Sequence, residues 1–317
     1  MPTIGSHVAE TVIAFTLLVL AGYFLKRKGV LKQEDSPMFA RLLTQAILPA
    51  TIFYQLWTHH LSGANFAPVL IMFLSGTAAL IVSFIAGVLF KFDRPSIGAL
   101  MIISSFGSSA LIGYPIIEYT FANNPQALAE GIAISELGVG LPIFIFCPLV
   151  AMYFGGTFKG AADLWQLVKD YLLSPIFISV ILGLVFSRID ISEGALLVDT
   201  IREALKMTQG ALVVISAIIL GLQLSFQPAR GFWTLIGVSI AVQMFFEPWF
   251  AHTAAGFFNI SSENRQILIL ISTMPAAILG PVFAARYNCA AKTASLLTFT
   301  HIAISPILVP AMFAFLS

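Results

Sequence analysis

Residues 96–121 read SIGALMIISSFGSSALIGYPIIEYTF, and residues 263–286 read ENRQILILISTMPAAILGPVFAAR. Both stretches are apolar enough to enter a membrane, but they are rich in small residues and contain Pro115 in the first and Pro275 and Pro281 in the second. Proline removes an amide donor and clashes with the preceding turn, so a helix kinks or unwinds there. Unwound backbone persists at membrane depth only where it is buried in protein or lines a wet cavity. The two stretches therefore predict interrupted helices at a functional site.

Composition indicates that the whole chain is a membrane protein. Of its 317 residues, 10% are charged and 58% are hydrophobic, whereas a soluble domain carries about 25% charged residues. Uncharged runs that can cross a hydrocarbon core of about 30 Å recur from end to end. They predict an all-α protein with ten membrane-spanning helices, over residues 8–26, 37–57, 66–90, 96–121, 128–154, 173–188, 207–226, 231–258, 263–286 and 291–316.

The distribution of basic residues predicts the orientation of these helices. Of the 16 Lys and Arg residues, only Arg188, Arg202, Lys206 and Arg265 fall on one side of a ten-helix arrangement, and the others fall on the opposite side. Because cytoplasmic loops are enriched in Lys and Arg, the side with more basic residues is cytoplasmic. The sequence therefore predicts a multi-pass protein of the plasma (inner) membrane with both termini extracytoplasmic.

Weak internal similarity at an offset near 160–167 residues suggests that the chain contains two repeats. The matches, which occur in a common order, are 44–46 with 208–210, 110–113 with 277–280, and Gly22 with Gly183. Five helices per repeat make the second copy enter the membrane from the opposite side, which gives the inverted repeat found in many secondary transporters.

The repeat divides the chain into three parts. Residues 1–155 form the first five-helix repeat, residues 156–172 a cytoplasmic interfacial linker, and residues 173–317 the second repeat. The amphipathic stretches 161–172 and 197–206 are expected to lie on the membrane surface.

Other function classes lack their sequence signals. The net charge of +1 comes from scattered residues and indicates no nucleic-acid partner. Neither HExxH nor GxSxG occurs, so an enzyme is not expected. Cys147 and Cys289 have no metal-ligand spacing, and no metal or cofactor is predicted apart from Na⁺ or a proton as a coupling ion.

Short motifs along most of the chain resemble a known family. They are Leu48-Pro49-Ala50-Thr51-Ile52-Phe53, Ser105-Phe106-Gly107 followed by Gly113-Tyr114-Pro115, and Met274-Pro275-Ala276 with Ala284, Ala285, Tyr287, Ala294 and Ser295 downstream. In these motifs the chain resembles the auxin efflux carrier family of membrane transporters. That family includes bacterial permeases for small carboxylates and is similar in architecture to bile-acid/sodium symporters. Its members often have Asn where this chain has Ser108.

The resemblance implies an architecture and a mechanism. The fourth and ninth helices would unwind and cross near the bilayer centre. Helices 1, 2, 6 and 7 would form a scaffold that mediates homodimerisation, and helices 3–5 and 8–10 a mobile transport unit. Fewer than twenty residues separate the fifth and sixth segments, which favours a compact, prokaryotic-type member. The implied function is transport of a small organic anion.

Backbone groups at the two interruptions are the predicted substrate site. No Lys or Arg lies convincingly at mid-membrane, so amides at the start of a half-helix would attract the anion, those of 114–116 and 276–278 being candidates. Serine and threonine hydroxyls would add donors. The predicted substrate-binding residues are Ser108, Ser109, Gly113, Tyr114, Pro115, Ser272, Thr273, Met274, Pro275 and Ala276.

Ionisable residues at membrane depth are candidates for ion coupling. Glu136, with Ser135 beside it, lies within the fifth segment, and the repeat offset places it opposite His301 in the tenth. A hydrogen-bonded structural acid is the alternative interpretation of Glu136. Glu247 is flanked by aromatic residues and is expected at the outer membrane interface.

Three rival functions stay open at this stage. They are a bile-acid/sodium symporter-like carrier of a larger anion, a membrane sensor or receptor without transport, and a passive channel.

Overall fold

The structure, a computed structural model, describes residues 4–59, 66–124, 126–189, 196–223, 233–258 and 260–317. Within these ranges the regular elements are helical, as the sequence predicts. The α-helices are α1 (Ile4–Arg27), α2 (Ser36–Leu42), α3 (Leu48–Thr58), α4 (Phe66–Leu89), α5 (Arg94–Ile103), α6 (Tyr114–Thr120), α7 (Ala127–Ser135), α8 (Leu141–Phe154), α9 (Ala161–Leu172), α10 (Pro175–Phe186), α11 (Leu196–Gln209), α12 (Ala211–Gln223), α13 (Trp233–Ile240), α14 (Glu247–Ala255), α15 (Ser262–Ser272), α16 (Leu279–Arg286) and α17 (Ala291–Leu316).

Among the described residues, six helices are long and apolar enough to cross a membrane. They are Ser6–Arg27, Phe66–Leu89, Ala127–Phe154, Leu196–Leu222, Trp233–Ala255 and Ala291–Leu316. The pair α9 and α10, bent by 53°, makes a seventh if it counts as one span. The remaining predicted segments are also helical: one is α2 with α3, and the other two are the interrupted pairs α5–α6 and α15–α16. The protein is therefore a multi-pass membrane protein.

One of the two predicted surface stretches, 197–206, lies within α11. Gly210 separates α11 from α12, and the two together make the candidate span Leu196–Leu222. The other, 161–172, coincides with α9, an amphipathic helix on which Trp165 is 69% exposed.

Four π turns in the described chain share one sequence feature. The turns Leu43–Ile47, Ser109–Gly113, Glu136–Gly140 and Ala241–Phe246 are each followed, two residues after their end, by Pro49, Pro115, Pro142 and Pro248 respectively. Proline has no amide hydrogen for the carbonyl four residues earlier, and its ring crowds that carbonyl, so the preceding turn widens to the π form. These prolines therefore widen the preceding turn and leave the chain helical on either side of it.

The first interruption consequently lies away from the proline that was expected to cause it. Helix α5 ends at Ile103, the non-helical backbone spans residues 104–108, and Pro115 sits in the first turn of α6. Pro115 acts on the turn Ser109–Gly113, which it widens while the chain stays helical on either side. The second interruption spans residues 273–278 and does contain Pro275.

Close helix packing links the two halves of the chain. Helix α1 packs along α12, where a Cβ atom on Gly22 would lie 3.2 Å from the carbonyl oxygen of Ala217. Helix α10 packs along α3, where a Cβ atom on Gly183 would lie 2.7 Å from the Cβ atom of Leu56. The two glycines that the sequence comparison paired thus play the same part, because each allows a helix of one half to approach a helix of the other.

A chain of side-chain amides ties α6 to these packed helices. The Gln55 amide nitrogen on α3 donates to the Gln209 side-chain oxygen on α11 at 2.8 Å, and the Gln209 nitrogen donates to the Glu118 carboxylate on α6 at 2.8 Å. Glu118 is half-buried. The second half of the first interrupted segment is therefore anchored to α3 and α11.

Candidate functional site

The two interrupted segments meet at their breaks through main-chain hydrogen bonds. Gly107 and Ala276 form an isolated antiparallel bridge. The Ser108 amide donates to the Pro275 carbonyl at 2.7 Å, and the Ala277 amide donates to the Phe106 carbonyl at 3.0 Å. Each break thus satisfies part of the backbone that the other leaves open, which is a requirement for unwound chain away from water.

This junction requires glycine at position 107. A Cβ atom there would lie 3.0 Å from the Met274 carbonyl oxygen and 3.1 Å from the Met274 Cβ atom. Carbon atoms pack well at about 3.5–4.0 Å. The absence of a side chain at Gly107 therefore lets the two breaks approach to hydrogen-bonding distance.

The predicted site residues are all buried, and several of them lie together at the first break. The Ser108 hydroxyl has no partner among the described residues, although Ser108 is only 4% exposed. The Ser109 hydroxyl accepts a hydrogen bond from the Ser135 hydroxyl at 2.5 Å, which leaves its own proton free to donate. Ser108 and Ser109 therefore each have a hydroxyl proton that is not used in a hydrogen bond among the described residues.

The amides available at the first break differ from those that the sequence predicts. The Tyr114 amide donates to the Ser109 carbonyl within the π turn, Pro115 has no amide hydrogen, and the Ala277 amide is used in the junction. The helix after the break begins at Ser109. Its first amides, those of 109–111, are the ones that a helix leaves without an internal partner. The Tyr114 and Ala277 amides are therefore engaged in main-chain hydrogen bonds here, and the amides without an internal partner at the first break are those of 109–111.

The second break does not contribute the hydroxyl donors that were expected. The Ser272 hydroxyl donates to the Ile269 carbonyl at 2.8 Å, and the Thr273 hydroxyl donates to the Leu270 carbonyl at 2.7 Å. Both protons are therefore used inside their own helix. Gly113 and Met274 do meet, since a Cβ atom on Gly113 would lie 3.5 Å from the Met274 Cγ atom.

Glu136 is buried beside the first break and is held by two tyrosines. It is 5% exposed and begins the π turn Glu136–Gly140. The Tyr114 hydroxyl donates to its carboxylate at 2.5 Å, and the Tyr171 hydroxyl donates to its main-chain carbonyl at 3.1 Å. Tyr114, Ser109, Ser135 and Glu136 therefore form one polar cluster around the start of the half-helix.

His301 lies in a separate polar chain. Its Nε2 atom is 2.9 Å from the Ser239 hydroxyl, which is 2.8 Å from the Ser104 hydroxyl at the end of α5. The His301 Nδ1 atom is buried without a partner in the described structure. The recorded side-chain partner of His301 is thus Ser239, and His301 reaches the first break only through it.

Sequence reasoning missed a second polar pair. Glu247, expected at the outer interface, is fully buried, and its carboxylate accepts a hydrogen bond from the Gln243 amide at 2.6 Å. The same Gln243 nitrogen is 3.4 Å from the Met274 carbonyl oxygen in the second break. The sequence feature that could have indicated this pair was Pro248. A proline widens the turn before it, and here that turn contains Gln243.

A family model described as "Membrane transport protein" matches residues 7–156 and 164–312 of the chain. The chain belongs to this membrane transport protein family. This match confirms the resemblance to auxin efflux carriers. An uncharacterized transporter of Methanocaldococcus jannaschii is 26% identical over 287 residues, covering 88% of this chain and 89% of the relative. An uncharacterized transporter of Methanothermobacter thermautotrophicus is 27% identical over 281 residues, covering 87% of each.

Membership in the membrane transport protein family identifies the chain as a transport protein rather than an enzyme. Its clearest described cavity is not the place for a polar substrate. That cavity, of about 230 Å³, lies between α1, α6, α12 and α17 and has Thr16 and Ser305 as its polar lining residues. Both hydroxyls donate to carbonyls of their own helices, those of Val12 and Ile302. Among the described residues, Ser108 at the first break and Gln243 beside the second have buried polar side-chain atoms without a hydrogen-bond partner.

Proposed function

We propose that this protein is a secondary active transporter that moves a small organic anion, a carboxylate, across the plasma (inner) membrane by alternating access. The observation that carries the proposal is the junction of two interrupted segments, with unused donors beside it. Ser108 and Ser109 offer hydroxyl protons there, and the half-helix that starts at Ser109 offers its first amides. Such donors attract an anion without a full positive charge in the membrane.

The proposed architecture is two five-helix inverted repeats. In it α1–α3 and α10–α12 form the scaffold, while α4–α8 and α13–α17 form a transport unit that moves as in an elevator. The symmetric packing of Gly22 and Gly183 between halves supports the repeat. The junction at Gly107 supports a crossover, because it joins the two interrupted segments. The proposal includes a homodimer formed through the scaffold and extracytoplasmic termini.

The proposed transport is coupled to a proton or to sodium. Glu136 is the proposed coupling residue, with Ser135 beside it, because a buried carboxylate changes its interactions when it binds a cation. Its hydrogen bond from Tyr114 connects it to the half-helix that carries Ser109. Cation binding at Glu136 would therefore alter the donors that face the anion. His301 is a further proposed member of this coupling group.

Charge movement across proteoliposomes adsorbed to a sensor membrane tests this function. A panel of small carboxylates is applied with and without imposed sodium and pH gradients. Saturable currents for a carboxylate that grow with one gradient are expected. No saturable response to the whole panel would contradict the carboxylate proposal, and currents that ignore both gradients at fixed voltage would contradict coupling.

Substitution of the donors makes the test specific. Ser109→Ala removes a hydrogen bond to a charged ligand, worth about 1.5–3 kcal/mol, so the substrate concentration for half-maximal current should rise roughly 10- to 150-fold. Thr253→Ala is the matched control, because Thr253 is exposed and its hydroxyl donates to the Trp249 carbonyl in the same helix. Equal half-saturation in Ser109→Ala and Thr253→Ala would remove Ser109 from the site.

A further inference from the structure

The second break has a buried acid of its own, which the transport site above does not use. Glu247 and Gln243 both have an exposed fraction of 0%, and they lie four residues apart on helix Trp233–Ala255. The Gln243 amide nitrogen donates to one carboxylate oxygen of Glu247 at 2.6 Å. The other carboxylate oxygen and the Gln243 side-chain oxygen have no hydrogen-bond partner among the described residues. Two acceptors are therefore left buried without a donor.

This arrangement also lacks a positive charge. In the described part of the chain, no Lys, Arg or His forms an ion pair with Glu247. A buried carboxylate without a compensating charge is strongly unfavourable, and in a membrane protein it marks a functional site by default. One bound cation would neutralise the carboxylate and satisfy the unpartnered oxygens.

The neighbouring main chain supplies a third oxygen. The Met274 carbonyl lies in the unwound stretch 273–278, at 3.4 Å from the Gln243 amide nitrogen. Carbonyl groups of unwound membrane helices are characteristic ligands of coupling cations in transporters. Glu247, Gln243 and the Met274 carbonyl thus bring a carboxylate, an amide and a main-chain oxygen together.

A π turn places these groups. Pro248 follows the turn Ala241–Phe246, which contains Gln243 and ends just before Glu247. π turns within α-helices occur frequently at functional sites. The same local structure holds Glu136 next to the first break. Each of the two interrupted segments therefore has a buried carboxylate beside it, presented by a proline-widened helix.

We propose that Glu247, Gln243 and the main-chain carbonyl of Met274 form a binding site for a monovalent cation, either sodium or a proton. A sodium ion would be held by the three kinds of oxygen once the Gln243 amide turned its oxygen, in place of its nitrogen, toward Glu247 and Met274. A proton on the free carboxylate oxygen of Glu247 would give that group a donor for the unpartnered Gln243 oxygen. The role of the cation in transport rests on the function proposed above, whereas its binding does not.

The other titratable or charged groups on the helices packed against this site either bond to other residues or lie near helix starts. Helix α4 has none. The others are His301, bonded to Ser239; Arg265, next to the His252 ring; Glu263, bonded to Asn124; and Arg94 and Lys292 near the starts of α5 and α17. Substitutions of Glu247 and Gln243 test the proposed site because they leave these other groups unchanged.

Binding to the purified protein in detergent tests the site without transport. Radioactive sodium binding is measured at constant ionic strength, and thermal stability is measured from pH 5 to 9 with sodium or choline. If sodium occupies the site, Glu247→Gln should weaken saturable sodium binding by roughly 100-fold, because the formal negative charge is lost. If a proton occupies it, sodium has no effect at this site, and stability falls more steeply as the pH rises in the wild type than in Glu247→Gln, where Glu136 remains as a buried carboxylate.

Two further variants make the result decisive. Glu118→Gln is the matched control for sodium binding, since Glu118 is also paired with a glutamine but is half-buried, and its sodium affinity should equal that of the wild type. Gln243→Leu keeps the carboxylate and removes the whole amide, so it should weaken sodium binding or, for a proton, change the pH dependence of stability, and it decides the matter if Glu247→Gln does not fold. Wild-type sodium and pH responses in both Glu247→Gln and Gln243→Leu would overturn the proposal.

Failure of this site and failure of the transport function give different results. Cation binding lost in Glu247→Gln, in a protein that moves no carboxylate, would refute only the proposed substrate. Carboxylate currents with unchanged cation binding in Glu247→Gln would refute only this site.

Discussion

Replacing Gly107 with alanine would perturb the junction between the two breaks at its closest point. The added Cβ atom would stand 3.1 Å from the Met274 Cβ atom and 3.0 Å from its carbonyl oxygen. Since carbon atoms pack at about 3.5–4.0 Å, the two segments must separate by roughly 0.4 Å. The hydrogen bond from Ala277 to Phe106, now 3.0 Å long, would then pass the usual limit of about 3.2 Å.

The size of the effect follows from two opposing contributions. Overpacking a buried position costs about 1–3 kcal/mol. Alanine also restricts the unfolded chain, which stabilises the protein by about 0.4–1 kcal/mol. The net expectation for Gly107→Ala is a loss of about 1–2 kcal/mol. A loss of this size lowers a melting temperature by roughly 2–4 °C per kcal/mol in a chain of a few hundred residues.

Thermal unfolding of the detergent-solubilised protein measures this loss, and the sensor-membrane assay measures the accompanying fall in transport current. Two glycine variants serve as stability controls. A Cβ atom on Gly113 would meet its nearest atom at 3.5 Å, and one on Gly237 would meet nothing within 4 Å. Neither Gly113→Ala nor Gly237→Ala should therefore lose stability. The reasoning is refuted if Gly107→Ala melts at or above the wild-type temperature, or if Gly113→Ala loses as much.

Two further predictions concern coupling and helix packing. Glu136→Gln should reduce the ratio of currents with and without the driving ion gradient to about 1, because the cation can no longer bind there; an undiminished ratio would exclude Glu136 from coupling. Gly221→Ala should destabilise the protein more than Gly107→Ala does, because its Cβ atom would lie only 2.5 Å from the Val19 carbonyl oxygen. A melting temperature equal to that of the Gly237→Ala control would contradict the close packing of α1 on α12.

The positions of the helices could be predicted from hydropathy, because an apolar run bounded by charge or glycine is a property of the chain itself. The second break could also be predicted, since Pro275 lies within it. The first break could not be placed from Pro115, because this proline widens the turn Ser109–Gly113 and leaves the chain helical on either side of it. The unwound stretch 104–108 is instead satisfied by the main chain of the partner segment, and that tertiary contact leaves no proline signal in the sequence.

The details of the site depend on which hydrogen-bond partners the side chains have, and the sequence does not show these partners. Ser272 and Thr273 looked like Ser108 and Ser109, but their hydroxyls bond to carbonyls of their own helix, whereas Ser108 and Ser109 follow the break and have no such carbonyl in use. Glu247 was misplaced because aromatic neighbours commonly mark a membrane interface. Here the helix that carries these aromatic residues is packed so that Glu247 is completely buried.

The junction between the breaks is made by peptide groups. The contact between the two segments and the recognition of a solute therefore depend on different atoms. The hydrogen bonds of Ser108 and Ala277 use main-chain atoms, so they do not depend on which side chains those positions carry. Among the described glycines, Gly107 is the one whose added Cβ atom would meet the Met274 main chain of the junction. Side chains around the break can therefore be exchanged for others that recognise a different solute, while the contact that holds the two halves in register is inherited unchanged.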